Sequence, residues 1–349
     1  MRALRRAATR KDVASLAGVS PAVVSYVLND GPRPVAGPTR ERVLAAVQEL
    51  NYRPDGLARS LRLGSARTIG VVVPDAVNPF FAELTNAIET AASARGYGVL
   101  VSTTANDPDR ELAVVQNLVE RRIDGLIFMS SEKRHGLEDL LGLDIPVVAL
   151  DRLTGEAPVS TVQTRNELGA LTGTNHLLWH GHLRIAFLGG PDPTVTRARR
   201  AGWREALRRA GADAEVETVA PFTFEGGWAA TRELFAGGAR GVTGMLVCSD
   251  VQAIGALKAL DELGLRVPDD IALISFDGTT ISQYTKPALT SIVQPISAFG
   301  EQAVAIIVDS PGTVQHVLLD GVLEVRLSCG CGSPHAGRDR AHNRTTPAR

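Results

Sequence analysis

The pattern of apolar and polar positions divides the chain into a short helical beginning and a long body of alternating strands and helices. Within residues 12–50, apolar residues recur at helical spacing in three short segments: residues 12–17, a second one starting at Pro21, and residues 39–50. Gly18 can end the first helix in a left-handed conformation, and Ser20 is a favourable N-cap for the second. Three short helices with a glycine-containing turn between the first two indicate a helix-turn-helix.

The same spacing predicts which side chains of these helices face inward. They are Val13, Leu16 and Ala17 in the first helix, Val24, Val27 and Leu28 in the second, and Val43, Leu44, Val47 and Leu50 in the third. A generic three-helix bundle would share this pattern. The second helix, however, carries small or flat polar groups on its outer side instead of the Glu/Lys mixture of a solvated face.

From Thr68 onward the pattern changes to short, β-branched apolar runs, which are typical of buried parallel strands. These runs cover residues 68–75, 98–104, 125–130, 145–151, 184–190, 216–220, 244–250 and 271–278. Amphipathic segments predict helices over residues 80–95, 109–122, around 136–141, 166–179, 197–210, 226–235 and 251–263. Two βα series of similar size predict an α/β body of two doubly wound subdomains.

A helix over residues 297–308 and a strand over residues 322–327 follow the second series, so the chain is expected to cross back between the subdomains. The predicted organisation is a disordered basic tail (1–8), a head (9–54), a hinge helix with linker (55–66), a two-lobed domain (67–330) and a disordered tail (331–349). One lobe would take residues 67–164 with 294–321, and the other 165–293 with 322–330. Ligands of open α/β sheets bind at the carboxyl ends of the strands, where Asp75, Asp151, Asp250 and Asp277 fall.

Composition refines this picture mainly through the distribution of charge. The chain has 349 residues, of which 44% are hydrophobic and 21% charged, and this favours a globular protein with a sizeable core. Residues 1–62 carry 11 Lys+Arg against 5 Asp+Glu, a net charge of +6, whereas residues 63–349 carry 26 against 33, a net charge of −7. A basic head on an acidic body indicates an anionic partner for the head alone.

Three sequence features bear on where the protein resides. No stretch approaches the roughly 18 consecutive apolar residues that span a bilayer, and the basic start MRALRRAATR leads into KDVASLAG instead of an apolar signal segment. The three cysteines, Cys248, Cys329 and Cys331, are an odd and badly spaced set for a disulfide framework. A cytoplasmic protein with no membrane partner is therefore expected.

Motifs of catalysis are missing from the sequence. No GxGxxG follows a strand, and neither GxxxxGK followed by Ser or Thr nor GxSxG occurs. Dinucleotide, P-loop nucleotide and nucleophile-elbow chemistry therefore have no support. The prediction is that the protein is not an enzyme.

Several motifs together show a resemblance far more specific than a lone helix-turn-helix. The segments DVASLAGVSPAVVSYVLN (12–29) and TRERVLAAVQELNYRPDGLARSLR (39–62) closely resemble the lactose-repressor (LacI/GalR) family of bacterial transcription regulators. The resemblance continues to about Gly330 through NPFF (78–81), DGLIF (124–128), IPVVALDR (145–152), GHLRIAFLGGP (181–191), RARRAGW (197–203), VPDDIALISFDG (267–278) and LTSIVQP (289–295). It implies a periplasmic-binding-protein-like body with a ligand cleft between its lobes.

For the head, the resemblance implies that the second helix lies in the major groove of DNA. Its base-reading positions would be Pro21, Ala22 and Tyr26, and the expected phosphate contacts are Ser20, Ser25, Asn29 and Arg40. Ala58 and Leu61 belong to the hinge segment, and Leu61 would wedge into the minor groove at the centre of the operator. Val23 stands where the family often has Thr, which changes the expected operator sequence and not DNA binding itself.

For the body, the resemblance implies an effector site. Phe80 and Phe81 would lie over the ligand, Arg199 would donate hydrogen bonds to its oxygens, and Phe222 would stack against it. Asp277, Asp250 and Asp151 would accept hydrogen bonds from its hydroxyl groups. Asp75 is the remaining candidate for this site. This combination suits a polyhydroxylated ring, so a sugar is the predicted effector. Helix capping by the aspartates and ordinary core packing of the phenylalanines are the open alternatives. Arg165 stands where the family usually has Asp, and Ser249 where Asn is frequent, so an anionic or phosphorylated ligand is a second option.

His176, His180 and His182 are the best candidates for metal ligands, because His176 and His180 share a helix face. His176 and His182 match a family pattern in which histidine helps end a helix, and no cysteine or carboxylate cluster adjoins His180 in sequence. The CGC segment at 329–331, with His335, is assigned to a Gly/Pro/Arg-rich tail that is predicted to be disordered and therefore not to bind metal. The sequence therefore predicts structural histidines, no metal and no cofactor.

These inferences combine into one hypothesis: a cytoplasmic, homodimeric repressor of a sugar uptake or catabolism operon that binds a near-palindromic operator. A dimer is favoured because residues 330–349 contain no leucine for the C-terminal heptad of the family's tetramers. The competing hypothesis is a solute-binding protein of a transporter, which the basic head and the missing signal segment disfavour. An enzyme on an α/β scaffold ranks third.

Overall fold

The computed structural model describes residues 8–28, 33–52, 65–129, 142–151, 159–191, 194–212, 216–239 and 241–331. The chain divides into two compact units, Met1–Ala66 and Arg67–Arg349, which we call the head and the body. Among the helices that these ranges contain, none is both long enough and apolar enough to cross a bilayer. The predicted hinge helix lies outside the described residues.

The head contains three helices, α1 (Arg10–Ala17), α2 (Pro21–Leu28) and α3 (Gly37–Glu49). The Thr9 hydroxyl accepts a hydrogen bond from the Asp12 backbone N–H at 3.4 Å, and the Asp12 carboxylate accepts one from the Thr9 N–H at 2.7 Å. This capping box starts α1, and Gly18 ends it with a φ of 64°. The predicted helix-turn-helix is confirmed.

The core of the head is built from small apolar side chains. It comprises Val13, Ala14, Ala17, Val24, Val27, Val43 and Ala46. The predictions that Leu16 and Leu44 face inward are wrong, because these side chains are 47% and 42% exposed. Ala14 and Ala46 occupy the inward positions instead, since small side chains allow three short helices to approach one another closely.

The first lobe of the body is a parallel sheet covered by helices on both faces. Its strands are β1 (Thr68–Val73), β2 (Gly98–Thr103), β3 (Gly125–Phe128), β4 (Val147–Leu150), β5 (Ser160–Thr164) and β11 (His316–Leu319), in the order β11-β5-β4-β3-β1-β2. Helices α4 (Pro79–Ala94) and α10 (Ile296–Asp309) pack on one face and α5 (Glu111–Glu120) on the other. Ile69 and Val71 of β1 point to the first face and Val72 to the second, as strand alternation requires.

The second lobe repeats this arrangement with a second sheet. Its strands are β6 (Ile185–Gly189), β7 (Glu217–Val219), β8 (Gly244–Val247), β9 (Ala272–Asp277), β10 (Thr290–Val293) and β12 (Val322–Glu324), in the order β12-β10-β9-β8-β6-β7. Only the pairing of β12 with β10 is antiparallel among these described strands. Its helices are α6 (Asn166–Trp179), α7 (Val195–Ala210), α8 (Phe224–Ala236) and α9 (Asp250–Glu262). The predicted fold class, a helix-turn-helix head followed by two doubly wound subdomains, is confirmed.

The strand predictions missed β5, β10 and β11 and misjudged the exposure of β2. Residues 160–164 read STVQT, and all of them except Gln163 are buried although most are polar. The β2 strand was expected to be a buried run, but Leu100 and Val101 are 37% and 50% exposed. Because β2 is the edge strand of its sheet, one face remains open to solvent. The helix predicted around residues 136–141 lies outside the described residues.

Candidate functional site

One cleft in the body collects most of the predicted ligand-binding residues. It lies at the carboxyl ends of strands from both sheets, where Asp151 directly follows β4 and Asp277 is the last residue of β9. Protein atoms leave about 300 Å³ of narrow space there, including the opening to solvent. The cavity proper, without the open solvent, measures only about 20 Å³, well below the roughly 300–1,000 Å³ of small-molecule sites. The lining residues are Asn78, Phe80, Phe81, Asp151, Val195, Arg199, Phe222, Ser249 and Asp277.

The first turn of α4 supplies an aromatic wall on the side of the first lobe. Asn78 caps this helix, its Oδ1 accepting the Phe80 N–H at 3.0 Å, and Pro79 suits the first helical position. The rings of Phe80 and Phe81 meet edge to face with centroids 5.3 Å apart. Both rings are buried in the core of the first lobe and also border the cleft. Core packing and a contact with the ligand are therefore compatible for this pair.

Arg199, on α7, is the cationic group of the cleft and is only 3% exposed. Its Nε donates to Asn166 Oδ1 at 2.8 Å, and its Nη1 donates to the Cys248 carbonyl oxygen. The guanidinium carbon lies 3.6 Å from the centroid of the Phe276 ring. These contacts hold the guanidinium in one position before a ligand arrives, which reduces the entropy lost on binding.

Asp277 faces Arg199 from the end of β9. Its Oδ1 accepts a hydrogen bond from Gln294 Nε2 at 2.8 Å and lies 3.8 Å from Arg199 Nη1, which is too long for a hydrogen bond. Burial raises the pKa of Asp277 to about 8; the charge of Arg199 opposes this rise only in part, and Asp250 reinforces it. A ligand hydroxyl that donates to this carboxyl would favour its ionised form.

The two aspartates of the cleft share an uncommon backbone conformation. Asp151 has a φ of 66° and Asp277 a φ of 102°, both in the left-handed region that favours glycine. Such positions cost on the order of 1 kcal/mol or more and are concentrated at functional sites. The backbone therefore supports a binding role for these two residues.

Phe222 borders the cleft from the segment between β7 and α8. Its ring lies directly over Gly190, because a Cβ atom at position 190 would be 2.1 Å from Phe222 Cζ. Any larger residue at position 190 would force the ring to move. Gly190, which directly follows β6, thus allows the Phe222 ring to take its position beside the cleft.

Asp75 and Asp250 are not brought to the cleft. Asp75 Oδ1 accepts the Val77 N–H at 2.8 Å in the turn after β1. Asp250 lies at the start of α9 but does not cap it, because the Ser249 hydroxyl is the cap.

The oxygens of Asp250 are occupied by internal hydrogen bonds. Oδ1 accepts from Ser275 Oγ at 2.5 Å and from Ser291 Oγ at 3.1 Å, and Oδ2 accepts from the Thr279 N–H and Oγ1 at 2.6 and 2.7 Å. Burial raises the pKa of Asp250 against these hydrogen bonds. Asp250 thus holds the chain just after β9, next to Asp277, and belongs to the support of the site.

The two departures from the family pattern have different outcomes. Arg165 Nε pairs with Asp320 Oδ1 at 2.9 Å on a half-exposed surface, so it does not bring a cation to the cleft. Arg165 therefore gives no reason to expect an anionic ligand. Ser249 does border the cleft while its Oγ caps α9 by accepting the Gln252 N–H at 3.3 Å.

Sequence reasoning missed Asn78 and Val195, which line the cleft, and Asn166, which holds Arg199. The Asn78-Pro79 dipeptide is a helix-start signal that could have drawn attention to the amide. Asn166 directly follows Arg165, but only Arg165 was a candidate in the sequence analysis. Val195 is an apolar contact without any chemical signal.

On the head, the predicted DNA-contacting positions within the described residues lie along α2, including its cap Ser20, and at the start of α3. Ser20, Pro21, Ala22 and Arg40 are exposed, and Ser25 and Tyr26 are partly buried. The Ser20 hydroxyl also accepts the Val23 N–H at 3.4 Å, so it starts α2 as an N-cap. Asn29, Ala58 and Leu61 lie outside the described residues.

Cysteines lie beside the histidines at the end of α6, contrary to the sequence analysis. His176 Nε2 is 3.4 Å from Cys329 Sγ, and His180 Nε2 is 3.1 Å from Cys331 Sγ. Cys329 is buried, so the CGC segment belongs to the folded body, and the prediction that it lies in a disordered tail is wrong. His182 is separate from this group, since its Nδ1 lies 3.0 Å from Thr243 Oγ1 and burial lowers its pKa.

Comparison with known proteins gives matches for both units. Residues 9–55 match the family of bacterial regulatory proteins called the lacI family, and residues 174–329 match a periplasmic binding protein-like domain. The ribose operon repressor of Escherichia coli is 35% identical over 306 residues, which cover 86% of this chain and 92% of that protein.

Two further comparisons agree with these matches. The HTH-type transcriptional repressor PurR of Pasteurella multocida is 34% identical over 305 residues, covering 86% of this chain and 91% of that protein. The crystal structure of the lac repressor dimer bound to operator and the anti-inducer ONPF superposes with a TM-score of 0.84 at 30% identity, over 93% of this chain and 99% of that one.

Proposed function

Because the chain belongs to the lacI family of bacterial regulatory proteins, we propose that it is a ligand-responsive transcriptional repressor that binds operator DNA. One observation carries this proposal: the cleft of the body gathers a fixed guanidinium, two carboxyl groups and three aromatic rings from both lobes. The same chain bears a basic helix-turn-helix head. A ligand in the cleft touches both lobes, and it can therefore change their relation and the binding of DNA.

The DNA-binding part of the proposal rests on the exposed start of α2. Pro21 and Ala22 can offer only van der Waals contact, for instance to a thymine methyl group, whereas Tyr26 brings a hydroxyl. Ser20, Ser25, Asn29 and Arg40 are proposed to contact phosphates. Ala58 and Leu61 are proposed to dock a hinge helix in the minor groove.

A homodimer on a near-palindromic operator follows from the size of the head. One head covers too little DNA for useful specificity, and two heads related by a two-fold axis read two half-sites. The solved lac repressor similar to this chain is a dimer bound to operator. Since the proposed partner is chromosomal DNA, we place the protein in the cytoplasm.

The proposed effector is a small polyhydroxylated ligand, with ribose or another pentose first. The relative in Escherichia coli is a ribose operon repressor, and the narrow cleft favours a small ring. Arg199 would donate to ring or hydroxyl oxygens, Asp277 and Asp151 would accept from hydroxyl groups, and the phenylalanine rings would cover the apolar ring faces. We propose that the regulated genes serve uptake or catabolism of such a sugar.

The competing functions have weaker support. A solute-binding protein of a transporter would share the body but has no use for a basic helix-turn-helix head. The relatives compared above are repressors and not enzymes. The proposal therefore includes no catalytic step.

The DNA arm of the test uses the full-length protein and random double-stranded DNA. Selection of bound sequences should yield a near-palindrome, and fluorescence anisotropy then measures the affinity. Tyr26→Phe and Arg40→Ala should weaken binding, while Lys258→Ala, which removes an exposed cation of α9 in the body, should not. Recovery of no enriched sequence would count against a repressor.

The ligand arm measures thermal shifts with pentoses, hexoses, sugar phosphates and nucleobases. We expect a pentose to raise the melting temperature and to change the affinity for the selected DNA. Phe222→Ala should reduce the ligand effect and leave DNA binding of the free protein unchanged. A shift caused only by a sugar phosphate or a nucleobase would keep the repressor and replace the sugar.

A further inference from the structure

We propose that one Zn²⁺ ion is bound by His176, His180, Cys329 and Cys331. The ion would join the segment that follows β12 to helix α6. The cluster lies in the second lobe, and none of its members lines the ligand cleft. Each residue offers one ligand atom, and these four atoms all lie within 4.8 Å of one another. Two thiolates and two imidazoles are a standard donor set for structural zinc.

The separations between the donor atoms fit a tetrahedral ion. In such a site, Zn–S bonds of about 2.3 Å and Zn–N bonds of about 2.0–2.1 Å place sulfur and nitrogen about 3.5 Å apart. Here His176 Nε2 lies 3.4 Å from both Cys329 Sγ and Cys331 Sγ, and His180 Nε2 lies 3.1 Å from Cys331 Sγ. These three separations match a tetrahedral site within a few tenths of an ångström, and the remaining donor pairs lie within 4.8 Å.

The two histidines are placed by the helix. His176 and His180 are four residues apart, so their side chains lie one above the other on the same face of α6. Their ring centroids are 4.9 Å apart, and both rings direct Nε2 toward the sulfur atoms. The His-x-x-x-His spacing is one that structural zinc sites use.

The two cysteines are placed by a backbone that is pinned to the sheet. Ser328, directly before Cys329, is fully buried; its Oγ donates to the Leu273 carbonyl at 2.6 Å and accepts the Thr290 N–H at 2.8 Å. Gly330 between the cysteines has a φ of 94°, a conformation that other residues rarely adopt. This left-handed turn lets both sulfur atoms face α6, although the Cys-x-Cys spacing is one residue shorter than the common Cys-x-x-Cys.

The site is structural and not catalytic, because four protein ligands leave no position for water or substrate on a tetrahedral ion. Its effect would be mechanical. Residues 329 and 331 follow the last strand of the second sheet, and the ion would join them to the end of α6. Without metal, the same cysteines would be free to form a disulfide or simple thiol–imidazole hydrogen bonds, so the experiment must separate these states.

The test starts from the full-length protein, expressed with zinc in the medium, purified under reduction and passed over gel filtration. Elemental analysis should find one zinc per chain. His180→Gln and Cys331→Ser should each lower the zinc affinity by more than about 100-fold, since even the loss of a group that only orients a ligand costs about 10–100-fold. His182→Gln and Cys248→Ala remove a neighbouring histidine and the cysteine outside the cluster, and they should keep the zinc.

A spectroscopic arm guards against variants that fail to fold. The parent protein, stripped of metal and reduced, is titrated with Co²⁺; tetrahedral coordination with sulfur should give intense visible bands and sulfur-to-cobalt absorption, and zinc should remove both. Absence of bound zinc together with absence of these bands overturns the proposal. Zinc retained unchanged in both His180→Gln and Cys331→Ser overturns it as well, because the metal would then lie elsewhere.

Discussion

Replacing Asp277 by asparagine should stabilise the ligand-free protein, and increasingly so as the pH rises from 6 to 8. Burial raises the pKa of Asp277 to about 8 in the folded protein, whereas an aspartate in an unfolded chain titrates near 3.9. Asparagine keeps the side-chain oxygen that accepts from Gln294 and cannot ionise. The substitution thus removes the titration while it preserves the shape of the site.

The sign of the effect follows from where the proton is held. The unfolded chain releases the proton of this aspartate near pH 4, while the folded protein keeps it until about pH 8. The resulting stabilisation is complete below pH 4 and is lost as the pH rises toward 8. The parent should therefore lose unfolding free energy relative to the variant at about 1.4 kcal/mol per pH unit, or about 2 kcal/mol from pH 6 to 8.

The assay is urea unfolding followed by tryptophan fluorescence at pH 6, 7 and 8. All three tryptophans, Trp179, Trp203 and Trp228, lie in the second lobe together with Asp277, and Trp203 is fully buried there. The signal therefore reports on the lobe that carries the perturbation. Asp261→Asn, at an exposed position of α9, is the matched control and should show no pH-dependent difference from the parent.

Two results would refute the reasoning. If the difference in unfolding free energy between Asp277→Asn and the parent does not change with pH, the carboxyl of Asp277 does not keep its proton to pH 8. If the difference shrinks as the pH rises, the pKa of Asp277 is lowered, and the pairing with Arg199 at 3.8 Å outweighs burial.

Three further predictions concern ligand and DNA. Arg199→Lys keeps the charge but loses the planar fork, so ligand affinity measured by isothermal titration should fall about 10–100-fold with operator affinity unchanged; equal ligand affinity would remove Arg199 from the site. Gly190→Ala should displace the Phe222 ring and weaken ligand binding about 2–10-fold, as Phe222→Ala should, with little change in melting temperature; full affinity would show that the ring does not touch the ligand. Operator affinity should fall about 10³- to 10⁵-fold between 50 and 200 mM salt if the heads make six to ten phosphate contacts; a flat salt dependence would contradict DNA binding by the basic head.

The periodicity of apolar residues was sufficient for most of the fold, because buried apolar faces repeat at the period of each element. It failed where polar residues are buried in pairs. Thr164 in β5 donates to Gln294 Oε1 at 2.6 Å, and Thr290 in β10 is held by Ser328. Such polar segments resemble loops in the sequence, because they can be buried only when another part of the chain supplies their hydrogen-bond partners.

The candidate sites show the same limit. Asp250 and Asp277 both follow buried strands and are equivalent in sequence terms, but four internal hydrogen bonds occupy one of them and the other faces the cleft. His176 and Cys329 are separated by 153 residues, so no local spacing could have joined them. In both cases the role of a residue depends on which distant parts of the chain the fold brings next to it.

The cleft is also a place where the body departs from what stability alone would favour. Asp151 and Asp277 take left-handed backbone conformations, and Asp277 is buried with a raised pKa although a guanidinium lies nearby. Asp250, which is close by and similarly buried, accepts four hydrogen bonds from within the protein and does not line the cleft. A buried carboxyl that lies 3.8 Å from a guanidinium, too far for a hydrogen bond, is costly, and a ligand hydroxyl that donates to it would lower that cost. The groups that cost the body stability are therefore the same groups that are proposed to bind the effector, so ligand binding should stabilise the body.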